Sequence, residues 1–354
     1  MQKSTRKWLL ALLAAVLVAI IAYQARRFFG SGQFSGAKLW AAVRGADPLL
    51  LVVSVLAIYL CYALRALRWR VLQRNLGPSR FWQIYSLTLA GFASIFLLGR
   101  AGEPVRPILL ARKEKLPTAG LFGIYLLERL LDTSSTLIIA ALGLILIRAR
   151  QGSNNSTTAF STAFRTAGIL LGGGLLVAIA FLIYLRVHGA PLLERRVDEW
   201  KRARSWKARI GSVIVDLARG VQTIRSWGDL TLAAAYSALH WILVLLIYLW
   251  ISHAFGGTLA QLTLGDAMLV MGVTLVGSVV QLPGVGGGSQ VGAFVAYTAI
   301  FGVEKEAAAA ASIVLWLITF AAVSLIGVPL LIHQGFSLGQ LKEMAEQEKE
   351  REQS

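Results

Sequence analysis

Hydrophobic residues along this chain come in long blocks, not in the short alternations of a soluble amphipathic fold. The stretches 8–25, 48–65, 118–147, 167–187, 231–253 and 307–332 are apolar over lengths close to the ~20 residues a helix needs to cross a bilayer. The spacing predicts about six full spans. Two further apolar stretches, 81–98 and 265–282, run at once into glycine- and proline-rich breaks and then into short return segments. The elements are therefore all helical, and the fold class is an all-α polytopic membrane protein.

The polar positions set the topology. Arg65, Arg68, Arg70, Arg74 and Arg80 crowd the loop 65–80, and 194–209 alone holds seven basic and three acidic residues. Basic loops stay in the cytoplasm. The loop 254–264 has no charge and 151–164 is rich in Ser, Thr and Asn, so both belong outside. Arg26, Arg27, Lys38 and Arg44 run against this scheme, because they fall in the first exterior loop. If 81–98 crossed completely, 118–147 would begin on the wrong side. The parity closes when 81–117 enters from the cytoplasm, breaks at 99–107 and returns, and 265–302 does the same from outside, breaking at 283–288. Both termini are then cytoplasmic. The halves 8–147 and 167–332 become an inverted-topology repeat, each with a re-entrant hairpin. At an offset of 184, residues 93–98 align with 277–282 and Gly102 falls on Gly286. The expectation is one membrane domain over 1–354, with a basic cytoplasmic loop at 188–229 and a charged cytoplasmic tail at 337–354. The first apolar stretch lacks a small-residue cleavage site and reads as a retained helix, not a signal peptide.

Composition narrows the function. The chain is 56% hydrophobic and 15% charged, with mean hydropathy +0.65, which excludes a soluble two-domain enzyme. The formal charge of +17 lies in loops, where it marks topology and meets anionic lipids of the cytoplasmic leaflet; nucleic acid is not the expected partner. The single cysteine, Cys61, allows no intramolecular disulfide. There is no CxxC, no HExxH and no nucleotide-binding loop, so no metal or other cofactor is expected.

Charged side chains at membrane depth must face a cavity or a partner. Arg100, Glu103 and Arg106 cluster at the first break. Glu103 and Arg106, spaced i, i+3, can pair on a short helix with Pro104 in its first turn, entered through Gly99 and Gly102. Glu128, Arg129 and Asp132 lie within 118–147, and Glu128 and Asp132, at i, i+4, share a face. Two such carboxylates need a cation between them, which Arg100, Arg106 or Arg129 can supply. The group reads either as an ion-pair lock between hairpin and helix or as a site for a phosphate-bearing headgroup, and the two readings are compatible. At the second break, Pro283, Gly284 and Gly286 open a glycine run whose N–H groups can cradle an anion, or which permits close helix packing. Gln281, Ser289 and Gln290 add neutral hydrogen-bonding groups. His240 and His253 have no carboxylate at helical spacing and read as packing or interfacial residues.

Three patches together resemble a known family: Gly99, Arg100, Gly102, Glu103, Pro104 and Arg106; then Glu128, Arg129 and Asp132; then Pro283, Gly284 and Gly286 through Gln290. They are similar to the flippase-like membrane family that includes the transmembrane region of lysylphosphatidylglycerol synthase, over roughly 10–330. The chain departs from the pattern after the glycines, where Ser289 and Gln290 stand in place of an acidic residue the family often carries. The resemblance implies translocation or handling of a lipid. It carries over Gly99, Arg100, Gly102, Glu103, Arg106, Glu128, Arg129, Asp132, Pro283, Gly284 and Gly286. The chain stops soon after 307–332, so the synthase's soluble aminoacyl-transferring domain, and with it lysyl transfer, is expected to be absent.

The leading expectation is a bacterial inner-membrane protein, not an enzyme, that moves a phospholipid or polyprenyl-linked lipid through an Arg/Glu/Asp pocket near the midplane. A homo-oligomer is compatible with it. One alternative is an integral membrane glycosyltransferase with a lipid-linked donor, for which Asp47 is the obvious exterior acid. The other is a non-transporting accessory protein of lipid or envelope synthesis.

Overall fold

The computed structural model describes residues 35–151, 173, 180, 226–278, 281–282 and 286–334. The expected span 8–25, the span 167–187 apart from 173 and 180, nearly all of the loop 188–229, the tail 337–354, and Pro283 and Gly284 lie outside the described residues. Four helices among the described residues are long and apolar enough to cross a membrane: Pro48–Leu72, Phe81–Leu98, Trp227–Ala254 and the rod Lys305–His333.

A short helix α1 (Gly36–Gly45) precedes α2 (Pro48–Leu72). Asp47 caps α2, its Oδ1 accepting the Leu49 N–H at 2.8 Å, and Pro48 follows where a missing N–H costs nothing. The helix was expected to stop at 65, with Arg65 and Arg68 in a loop. It continues to Leu72, and both arginines are helical and buried. The inward period carries on through Cys61, Ala66, Trp69 and Leu72, and Arg65 and Arg68 share that face; Arg70 and Arg74 point away and are exposed. On the outward side, Leu49, Val52, Leu56 and Leu60 form an exposed apolar stripe at helical spacing.

Helix α3 (Phe81–Leu98) ends at Gly99, whose φ of 64° lies in the region that glycine occupies without strain. A 3₁₀ turn, Gly99–Gly102, and Pro104 lead into α4 (Val105–Glu114), which runs back along α3. The return is possible because the crossing residues lack side chains. A Cβ at Gly91 would stand 2.5 Å from the Arg106 Cβ, and one at Gly102 would overlap the Ser94 carbonyl. The long helix α5 (Thr118–Gln151) follows.

The second set begins with α6 (Trp227–Ala254), which lies antiparallel to α2. The register is fixed at three heights: the Asp47 N–H donates to the Ala254 carbonyl at 2.8 Å, Arg65 meets His240, and Arg74 pairs with Asp229 at 2.8 Å. Helix α7 (Leu264–Gly277) starts on a Thr263/Asp266 capping box. A two-residue antiparallel pair, Gln281–Leu282 with Gly286–Gly287, turns the chain into α8 (Gly288–Val295). Apart from this two-residue pair, the described elements are helical, as expected for an all-α fold. The turn is tight: a Cβ at Gly277 would overlap the Gly288 carbonyl, and one at Gly292 would stand 2.8 Å from the Val273 carbonyl. A rod made of α9 (Lys305–Trp316), a π turn and α10 (Ala322–His333) completes the described fold.

The two hairpins are embraced reciprocally. The first, through α3, packs on α10; the second, through α7, packs on α5. In a bilayer, where lipid is as apolar as the protein, such contacts depend on close backbone approach by small residues. Gly143 of α5 supplies it against Met268, and Gly327 of α10 supplies it against Leu89 and Ala93. The tips lie close together, with Cα atoms of Gly99–Gly102 within 8 Å of those of Gln281–Leu282.

Candidate functional site: an enclosed ionic cluster

Beside the first hairpin, α2, α4, α5 and α6 each contribute polar groups to one cluster. Arg65 reaches Asp132 Oδ2 at 2.9 Å and Glu128 Oε1 at 3.4 Å. Arg68 reaches Glu128 Oε1 at 2.6 Å, Asp132 Oδ1 at 2.7 Å and the Ser237 hydroxyl at 2.7 Å. Arg106 reaches Glu128 Oε2 at 2.8 Å, donates to the Thr88 hydroxyl at 3.2 Å, and stacks its guanidinium 4.4 Å from the Trp69 ring centroid. Indole N–H groups complete the carboxylates: Trp69 donates to Glu128 at 2.6 Å and Trp241 to Asp132 at 3.2 Å. His240 Nε2 accepts from the Arg65 Nε–H at 3.2 Å, which puts the ring proton on Nδ1, 3.2 Å from the Cys61 carbonyl.

The cluster is sealed: Glu128 and Trp69 are 0% exposed, Arg68 1%, Arg106 3%, Asp132 6% and Arg65 7%. Three guanidiniums face two carboxylates, leaving one net positive charge. Arg65 lies seven residues before Leu72, about 10 Å along the axis.

Of the residues named from sequence, Glu128, Asp132 and Arg106 come together here. Glu128 and Asp132 do share a face, but the cations that bridge them are Arg65 and Arg68 of α2, with Arg106 bound to Glu128 alone. The expected Glu103–Arg106 pair does not form. Glu103 precedes the Pro104 cap, so the two are not on one helix, and its Oε2 instead accepts the Tyr125 hydroxyl at 2.5 Å. Arg129 makes no ion pair with the cluster's carboxylates and lies over Tyr125, 5.1 Å from its centroid. Gly99 and Gly102 form the first turn as expected, with Arg100 between them in the backbone. Gly286 sits in the short ladder, and Gln290 Oε1 accepts the Gly287 N–H at 2.5 Å, so that N–H is already engaged within the turn.

Sequence reasoning missed Arg65, Arg68, Trp69, Ser237, His240 and Trp241. The signal was present for the first three: the inward apolar period persists past 65. No signal in the sequence pairs α2 with α6, on which the other three depend.

The family described as the lysylphosphatidylglycerol synthase TM region matches residues 8–327. The chain belongs to that family. The resemblance read from the three motif patches is thus correct, and the protein is an integral membrane protein of this class. A UPF0104 membrane protein of Methanothermobacter thermautotrophicus is 25% identical over 317 residues, which cover 84% of this chain and 89% of that one. No solved structure matches the chain.

Proposed function

We propose that the protein is a lipid translocase of the bacterial inner membrane. It passes the headgroup of an anionic phospholipid or polyprenyl-linked lipid between leaflets, along a polar site where two re-entrant hairpins meet. The observation that carries this reading is the close approach of the two hairpin tips near a closed cluster with one more cation than acid, which sets a positive field around them without itself binding the lipid. An anionic headgroup at membrane depth needs a fixed positive field in place of its lost hydration.

The repeat reading has independent support. The offset of 184 that aligns Gly102 with Gly286 also carries Gly143 onto Gly327, the two glycines that admit the opposite hairpins. The antiparallel α2–α6 register brings residues 74 and 229, and so the basic loops next to them, to one end of the pair. That agrees with placing Arg74 and Asp229 at the cytoplasmic end of the pair. The carboxylates orient the arginines, and transport, not bond-making, is the role assigned to them.

Full-length protein in vesicles of phosphatidylethanolamine and phosphatidylglycerol, with a trace of fluorescent phosphatidylglycerol, tests the reading by dithionite quenching of the outer leaflet. Wild-type protein should expose inner-leaflet lipid faster than empty vesicles, and Glu103→Ala should slow it. Equal, background rates for both proteins would sink the translocase reading.

A further inference from the structure

The cluster that carries the most charge is the one least able to meet a ligand. Its three arginines are enclosed, and every terminal nitrogen is engaged: those of Arg65 and Arg68 mostly on the two carboxylates, Arg106 Nη1 on Glu128 and its Nη2 on the Thr88 hydroxyl. Arg129 is different. It is partly exposed, and no carboxylate lies within salt-bridge distance of it among the described residues. Its Nε is enclosed with no hydrogen-bond partner. Its guanidinium is held by the ring of Tyr125, and Tyr125 is held in turn by Glu103 at the first hairpin tip.

The surroundings of Arg129 form a path. Tyr125, Arg129, Thr133 and Thr136, at i, i+4, i+8 and i+11, share one face of α5. None of the four is buried. Thr133 and Thr136 donate their hydroxyl protons to the carbonyls of Arg129 (2.8 Å) and Thr133 (2.9 Å), which leaves their oxygens free to accept. One turn further on, Ala140 lies on the same face and packs against Gly272 of the second hairpin. The stripe therefore starts beside one hairpin and ends against the other. From Tyr125 to Thr136 it spans about 16 Å, and Arg129 lies about 16 Å along the axis from the start of α5.

We infer that Arg129 makes the phosphate contact and that the headgroup follows the Tyr125–Arg129–Thr133–Thr136 face of α5, while the Arg65/Arg68/Arg106 cluster stays closed as the lock that holds this face in place. The route rests on the translocase reading; the Arg129 contact does not. An unpaired cation at this depth is retained for a ligand anion, and a fork of N–H donors matches phosphate oxygens.

The test combines three readouts on full-length protein: the vesicle assay above, native mass spectrometry of phosphatidylglycerol retained through purification, and thermal unfolding. Arg129→Gln should lose retained phosphatidylglycerol and slow translocation by about tenfold or more, with the unfolding temperature within about 2 °C of wild type. Arg129→Lys should restore part of both, since a point charge replaces the fork. Thr133→Val with Thr136→Val should slow translocation and leave lipid retention intact. Undiminished lipid retention in Arg129→Gln overturns the inference. So does a shared fall of about 6 °C or more in Arg129→Gln and Arg129→Lys, which would make Arg129 part of the lock. If wild-type protein moves no lipid yet retains phosphatidylglycerol only when Arg129 is present, the contact stands and the translocase reading fails.

Discussion

Replacing Glu128 by glutamine keeps the shape of the most connected carboxylate and removes its charge. Glu128 accepts from Arg65, Arg68, Arg106 and Trp69, and it is fully enclosed. Without its charge, Arg65 and Arg68 keep only Asp132, and Arg106 is left with no carboxylate. Breaking a buried pair from one side costs about 3–5 kcal/mol, because the partner charge stays buried and uncompensated. At about 2 °C per kcal/mol for a chain of this size, the unfolding temperature should fall by about 6–10 °C. The assay is thermal unfolding of purified protein in detergent, run as a double-mutant cycle with Arg106→Met. Removing both partners should cost clearly less than the sum of the single changes, since the methionine leaves no cation behind and can fill the space between Thr88 and Trp69. A fall below about 2 °C for Glu128→Gln, or strict additivity with Arg106→Met, would refute the reasoning that this network locks the hairpin to α2 and α5.

Three further outcomes follow from the same geometry. Gly91→Ala puts a methyl group 2.5 Å from the Arg106 Cβ, so α4 must move away from α3; the expected cost is about 1–3 kcal/mol, read as a lower unfolding temperature. Tyr125→Phe removes the donor to Glu103 while keeping the ring under Arg129; it should cost about 0.5–3 kcal/mol by the same measurement, less than Glu128→Gln. Asp47→Ala removes the cap of α2 and should cost about 0.5–2 kcal/mol with no change in lipid movement. Loss of a lipid-linked transfer reaction in that last variant, with unfolding unchanged, would favour the glycosyltransferase alternative.

Much of the fold is legible in one dimension. Block length and loop charge are local properties, so the helices at 48, 81, 118, 231 and 307 and the two interrupted hairpins can be read without knowing what touches what. The motif at 99–106 and the face shared by Glu128 and Asp132 are likewise matters of spacing along one helix or one turn. Arg65 and Arg68 mark the limit. A hydropathy reading treats an arginine as the end of a span, because it prices the charge as though it faced lipid or water. Whether it does depends on a carboxylate some sixty residues away, at Glu128 and Asp132, and only the packing of α2 against α5 and α6 supplies that partner.

The amino-acid order therefore determined that this chain lives in a membrane, where its helices begin, and where its backbone must turn, since each follows from neighbours within a few residues. The tertiary structure alone decided which charges cancel. It enclosed Arg65, Arg68 and Arg106, turned Glu103 toward Tyr125, and left Arg129 over the Tyr125 ring with no carboxylate at ion-pair distance among the described residues. Coulomb pairing in a low-dielectric interior depends on distances of a few ångströms between helices, which only their packing fixes.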